Sequence, residues 1–265
     1  MSASPDGLVE IDNGAGSIRV IGWNKPEVTV TGSLGPGAEG LGFSGGPRRT
    51  QIDVETRGNP HGIKSDLEIH VPVGSRVEIS SFAADINVSD VTGSVTAEGV
   101  NSSITVAGST KEVSAQTVNG SVEITGATTR AHAESVNGGV TIRGASGEVE
   151  ASTVNGRLEV TGGSFERATL ETVSGSLRFE GDLAKQAILD ASTVSGSVEL
   201  VLPSSVTAEF SLTTFSGDIQ NELGTTIAKR TSKYTSEKQL EFTSGDGGAS
   251  VSVQTLSGGI LIRKR

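Results

Sequence analysis

The chain has 265 residues, of which 34% are hydrophobic and 3% aromatic, with 36 glycines and a net charge of −10. It contains no cysteine, which excludes a disulfide framework, a thiolate metal site and a cysteine nucleophile. The acidic balance argues against a nucleic-acid partner, whose phosphates it would repel. No run approaches the roughly 20 apolar residues needed to cross a bilayer as a helix.

The opening Met1–Gly7 has neither a basic segment nor an apolar one, so no signal peptide is expected in it. Residues 8–31 read as an irregular first repeat in which Val9, Ile11, Ile18 and Val20 point inward, followed by a strand at Val28 and Val30. Residues 33–49 are rich in Gly and Pro, lack periodicity and read as a loop. Alternating strands follow around Ile52–Val54 and Leu67–Val71, separated by the loop Gly58–Gly62, and Pro72 ends the second.

A regular array then begins at Val77. Its clearest statement is Gln116-Thr117-Val118-Asn119-Gly120-Ser121-Val122-Glu123-Ile124. Phe82, Val100, Val118, Val136 and Val154 recur every eighteen residues. Val173, Val194 and Phe215 continue the series at spacings of nineteen and twenty-one, and Leu256 heads a last copy. With the central residue as position zero, apolar side chains at −5, −3, 0, +4 and +6 are expected to face the core. Each repeat holds two alternating runs, the signature of half-buried strands. Asn-Gly at +1 and +2 is expected to supply the positive φ of a tight corner. After Phe215 the segments 223–230 and 234–242 read as a hairpin excursion. Gly245–Ala249 then leads into the closing copy, Val251–Ile262. The terminal Arg263-Lys264-Arg265 is expected to place charge on an open sheet edge.

A fixed period of this size implies a stacked array. An antiparallel meander is the default for Asn-Gly between strands, but it gives no reason for one residue type to return at one offset. In a parallel solenoid each column stacks on itself about every 4.8 Å. The Asn101, Asn119, Asn137, Asn155 column then becomes an amide ladder, continued by Ser174, Ser195, Ser216 and Ser257. A hexapeptide helix fails because Arg130 and Glu148 fall where it needs aliphatics. A calcium nonapeptide solenoid fails because Gly245-Asp246-Gly247-Gly248 occurs once. The expected fold is all-β, a parallel β-solenoid with two strands per 18–21-residue repeat. It forms a single elongated domain over 1–265, with irregular strands in 8–76, regular repeats in 77–222 and an excursion plus closing repeat in 223–265.

Three features together resemble the bacterial family of adhesin-like proteins with β-strand repeats, the DUF4097 type. One is the repeated Thr/Ser-Val-Asn/Ser-Gly-x-Val-x-Val unit. The second is a Val/Leu-Pro corner before a strand, at Val71-Pro72 and Leu202-Pro203. The third is Gly245–Ala249 leading into Thr255-Leu256-Ser257-Gly258-Gly259-Ile260. The resemblance spans about residue 8 to the end. It implies a bacterial protein of the cell surface or envelope, with a protein or polysaccharide partner.

No catalytic, cofactor-binding or metal-binding residue set emerges, and a non-enzymatic role is expected. The Thr/Ser column at −1 (Thr117, Ser135, Thr153, Thr172, Thr193, Thr214, Thr255) points inward, where hydroxyls can satisfy corner backbone. Column −2 places Glu98, Glu134 and Glu171 on alternate repeats, and column +5 alternates Glu159, Arg178 and Glu199. Both patterns manage charge on a solvated face. His61, His70 and His132 lack metal spacing and read as surface or loop residues. Lys229, Arg230, Lys233 and Lys238 read as a solvated basic hairpin, and Trp23 and Tyr234 as caps of the core. The alternative to an adhesin-like role is a bactofilin-like scaffold that self-associates through solenoid ends.

Overall fold

The computed structural model describes residues 1–56, 64–232 and 235–265. Those residues form two compact units, 1–128 and 129–265. Both are built from strands, and the described residues include no helix. The loop expected at Gly58–Gly62, with His61, lies outside the described residues, as do Lys233 and Tyr234.

The first unit contains β1 (Leu8–Trp23), β2 (Thr29–Leu34), β3 (Ala38–Gly46), β4 (Arg49–Thr56), β5 (Ser65–Pro72) and β6 (Arg76–Ser89). Four short strands complete it: β7 (Ser94–Gly99), β8 (Ile104–Ala107), β9 (Glu112–Thr117) and β10 (Val122–Thr125). Each repeat adds one strand on either side of its corner, and successive repeats pair in parallel. Val77 aligns with Val95, and Val95 with Val113. Beyond the corner, Ile86 aligns with Ile104 and Ile104 with Val122. A constant eighteen-residue offset therefore puts like side chains on like, and the core is a set of aliphatic columns. Val9, Ile11, Ile18 and Val20 are buried as expected and join those columns through β6.

β1 is an interior strand. It pairs in parallel with β6 on one side and with β4 and β5 on the other. The edges of β4 and β5 are covered in turn by β3 and β2, both antiparallel. The expected loop at 33–49 is thus corrected: Ala38–Gly46 is a strand. Its glycines hid it, because they interrupt the alternation of Leu41 and Phe43, and an edge strand needs little apolar content. Gly42 leaves room there for the Asp53 carboxylate, an oxygen of which lies 2.4 Å from where a Cβ would stand.

The second unit begins with β11 (Arg130–Ser135), β12 (Val140–Asn155), β13 (Leu158–Ser174), β14 (Leu177–Ser195), β15 (Val198–Leu202), β16 (Ala208–Ser216) and β17 (Ile219–Asn221). It ends with β18 (Lys229–Arg230), β19 (Lys238–Ser244), β20 (Ala249–Ser257) and β21 (Ile260–Lys264). Val140, Leu158 and Leu177 form one column; Ala151, Leu170 and Ala191 form another. Where the repeat lengthens, the extra residues are absorbed as register shifts between Thr161 and Ser164 and between Phe165 and Arg167. Buried Phe165 packs on Phe179 there, with ring centroids 5.2 Å apart, so the columns keep their alignment.

The stacking order departs from the chain order. β20 and β21 insert between β14/β15 and β16/β17, aligning Leu189 with Val251 and Val251 with Phe210. The closing repeat is therefore interior, and its terminal charges do not guard an edge. Arg263 pairs with Glu199 at 3.1 Å and Arg265 with Asp182. The expected hairpin excursion covers the edge instead: β19 runs antiparallel to β16, and β18 antiparallel to β19. Phe242 stacks face to face on Phe210, at 4.4 Å.

Candidate interaction surface

The repeat turns on one short corner, and the corner corrects two expectations. The central residue, expected inside, is outside. Phe82, Val100 and Val118 in the first unit expose 48%, 36% and 40% of their surface. In the second unit Val136, Val154, Val173, Val194, Leu256 and Phe215 expose between 38% and 54%. Strand alternation is the cause. Positions −5, −3 and −1 face the core, so zero must face away. Thr117, Ser135, Thr153, Thr172, Thr193, Thr214 and Thr255 at −1 are all buried, as expected.

The corner glycines serve close approach, and only some of them the positive φ expected: Gly175, Gly196 and Gly258 have φ of 159°, 158° and 152°. Neither Asn119, Asn155 nor the glycines that follow them adopt positive φ. Glycine is required because the backbones touch: a Cβ on Gly120 would sit 2.2 Å from the Ser102 carbonyl oxygen. Stacked through the second unit, a Cβ on Gly175 would lie 1.8 Å from Gly156 O, and one on Gly196 1.7 Å from Gly175 O. Gly258 and Gly217 repeat the contact on Gly196 O and Gly258 O, at 1.8 and 2.0 Å.

Hydroxyls and amides fix the corner on both sides of the exposed residue. The Thr117 hydroxyl donates to Ser102 O at 2.8 Å, Thr153 to Gly138 O at 2.8 Å and Thr214 to Gly258 O at 3.0 Å. The side-chain oxygens of Thr172, Thr193 and Thr255 are equally buried and have no hydrogen-bond partner. At +1 the expected amide ladder forms within each unit. Asn119 Nδ2 donates to Asn101 Oδ1 at 2.9 Å, and Asn155 Nδ2 to Asn137 Oδ1 at 3.0 Å.

In the second unit the exposed apolar column borders a shallow groove of about 530 Å³. Val154, Val173, Val194, Leu256 and Phe215 line it, with column −2 opposite: Ser152, Glu171, Ser192, Gln254 and Thr213. Register places these −2 residues side by side in that order, so Glu171 is flanked by Ser152 and Ser192.

Charge is concentrated elsewhere. On the +5 face Arg178 meets Glu199 at 2.8 Å and Glu180 at 2.7 Å, as its alternating column predicts. Hydrogen bonding to Glu199 raises the Arg178 pKa further above its ordinary value. Arg130 meets Glu148 at 3.3 Å, and His132 lies 3.4 Å from both Glu134 and Glu150. The His70 ring lies tilted against Trp23, with centroids 4.9 Å apart, while Lys25 sits 4.4 Å over the same indole. Both histidines belong to strands, β5 and β11, rather than loops. The Trp23 indole donates to Glu27 O at 2.8 Å, closing the turn after β1. In the basic hairpin Lys229 and Arg230 are exposed and Lys238 pairs with Asp218, whose carboxyl is thereby held below its usual range. In the first unit Asp12 is aligned with Asp53 on the neighbouring strand, and burial, then that like charge, raises its pKa. Among the described residues no group of three or more His, Asp or Glu side chains could hold a metal ion.

A family model, Toastrack DUF4097, matches residues 42–263. The chain belongs to this family. Among solved structures it is similar to a "putative cell adhesion protein" from Clostridium sporogenes, at 10% identity over 99% of this chain and 94% of that one, with a TM-score of 0.25. No curated protein matches. No helix among the described residues of this Toastrack chain is long and apolar enough to cross a membrane.

Proposed function

We propose that this Toastrack protein is a non-enzymatic, adhesin-like interaction protein of the bacterial surface or envelope. Its repeats act as a parallel β-solenoid with two strands per turn, a stiff support that holds one kind of side chain at regular intervals. The observation that carries the reading is the exposed apolar column at position zero. An interior built from small aliphatics has no use for a half-exposed Val, Leu or Phe at every corner. A contact surface does, because rows of apolar side chains rimmed by polar ones are what partners bury. The absence of a titratable cluster in the groove leaves it suited to contact rather than to proton transfer. Its rim of hydroxyls and amides, broken by the single acid Glu171, suits a protein or polysaccharide partner and offers no cation to phosphate.

The test joins location to contact. Native cells are fractionated and shaved with protease while the protein is followed by antibody, and purified protein is bound to whole cells. Loss on shaving, with cell binding abolished by Val173→Lys, is the expected result. Protection in the cytosol, or unaltered binding by that variant, overturns the reading. The scaffold alternative needs open, complementary ends. Antiparallel β2 and β3 in one unit and β19 in the other occupy the edges such ends would use. Filaments under the electron microscope would restore it.

A further inference from the structure

We infer that the partner of the exposed column in residues 129–265 is a second copy of this chain, packed column against column. This rests on the reading of the column as a contact surface and names what covers it.

Area is the first argument. From their fractional exposures of 38% to 54%, Val136, Val154, Val173, Val194, Leu256 and Phe215 together offer on the order of 450 Å², a size at which apolar patches are often functional. A standard interface buries about 800 Å² per partner. The column supplies the apolar centre of such an interface, and the hydroxyl and amide columns on either side supply the rim.

Charge is the second. Each copy carries a net charge of −10, so two copies repel except where neither presents charge. Column +1 beside the ridge is Asn or Ser throughout, and column −2 holds acids only at Glu134 and Glu171. Elsewhere the outward columns carry the ion pairs of Arg130 and Arg178. The ridge is where two copies can meet with few carboxylates between them, those of Glu134 and Glu171.

Spacing is the third. Ridge residues on adjacent strands are about 4.8 Å apart. An occupant fills every notch between them only if its own apolar side chains carry the same spacing, and a second copy does so by construction. The contact is then self-complementary, as a two-fold interface requires, and dry where side chains interdigitate.

Sedimentation velocity on the full chain tests this across a concentration series. Wild type should pass from monomer to dimer in the micromolar range. Val194→Lys and Leu256→Lys should each shift that midpoint upward at least about tenfold, while leaving the unfolding temperature of the monomer, read well below the midpoint concentration, unchanged because both sites are exposed. As the chain has no cysteine, Val194→Cys should also yield a disulfide-linked dimer under mild oxidation, and Glu166→Cys, exposed and off the ridge, should not. Wild type that stays monomeric to roughly 100 µM, or a dimer indifferent to both lysine variants, overturns the inference. The outcomes separate the two proposals. A monomer that still loses cell binding on Val173→Lys defeats only the second copy. A ridge-dependent dimer with unaltered cell binding defeats only the adhesive reading.

Discussion

Val140 and Val136 stand four residues apart in one repeat and have opposite surroundings. Val140 is fully buried in a column with Leu158, whereas Val136 exposes 39% of its surface at the corner. Both belong to series that recur through the array, so recurrence alone does not separate them. The difference lies in parity. A side chain an even number of residues from −5 on the first strand is inside, and position zero is odd. Repetition therefore records two selections at once, one for packing and one for an outward surface.

Deletions give the largest test of that distinction. Removing residues 155–173, one whole repeat, should leave a soluble protein with a cooperative unfolding transition, because each repeat touches only its neighbours. Removing nine residues, 155–163, exchanges the two strands in later columns, turns the corner residues into the wrong register and should give aggregate. Equal tolerance of both would break the solenoid account.

Single charges come next. Val140→Asp should cost about 3–5 kcal/mol by burying an unpaired carboxylate, while Val136→Asp should cost about 0.5 kcal/mol or less. Urea unfolding of the two variants reads the difference directly. The corner glycines should rank just below. Gly196→Ala drives a Cβ to 1.7 Å from a stacked carbonyl, and a loss of about 3 kcal/mol is expected. Gly163→Ala, with nothing nearer than 3.7 Å, should stay within about 0.5 kcal/mol.

Smaller effects sharpen the reading of column −1. Thr153→Val removes a formed hydrogen bond and leaves Gly138 O without its donor, for a loss of about 1 kcal/mol. Thr193→Val removes a hydroxyl that has no partner, and the melting temperature should hold or rise. The smallest effect is electrostatic. Burial and Asp53 raise the Asp12 pKa above 3.8. The unfolded chain thus ionises first, and Asp12 detracts from stability once pH has risen through its folded pKa. Asp12→Asn should therefore stabilise the protein at neutral pH, with the gain vanishing as pH falls below about 3.8.

Much of the fold was legible because parallel stacking aligns like with like. Val9, Ile11, Ile18 and Val20 could be placed inside from spacing, as could the Thr column and the Asn101–Asn119 ladder. The alternation of Glu159, Arg178 and Glu199 announced the Arg178–Glu199 pair, while the pair with Glu180 had no such signal. Three features were not legible. The ridge at Val118 and its equivalents was hidden by hydrophobicity, although parity with Thr117 at −1 held the signal. Strand β3 was hidden by glycines that serve close approach to Asp53. The insertion of β20 between β14 and β16 had no local signal, because a repeat carries no mark of its neighbours when every repeat presents the same columns.

That inserted position sets the timing of assembly. Ribosomes release the chain from its N-terminus, so residues 208–221 emerge before the strands that join them to 177–202. Until Ala249–Lys264 has been made, β14 and β16 each hold a vacant parallel edge, and only the connecting chain links the two. The repeat that joins β14 to β16 is thus synthesised after both of them. A chain truncated before Ala249 would leave both edges unpaired, and unpaired strand edges invite aggregation.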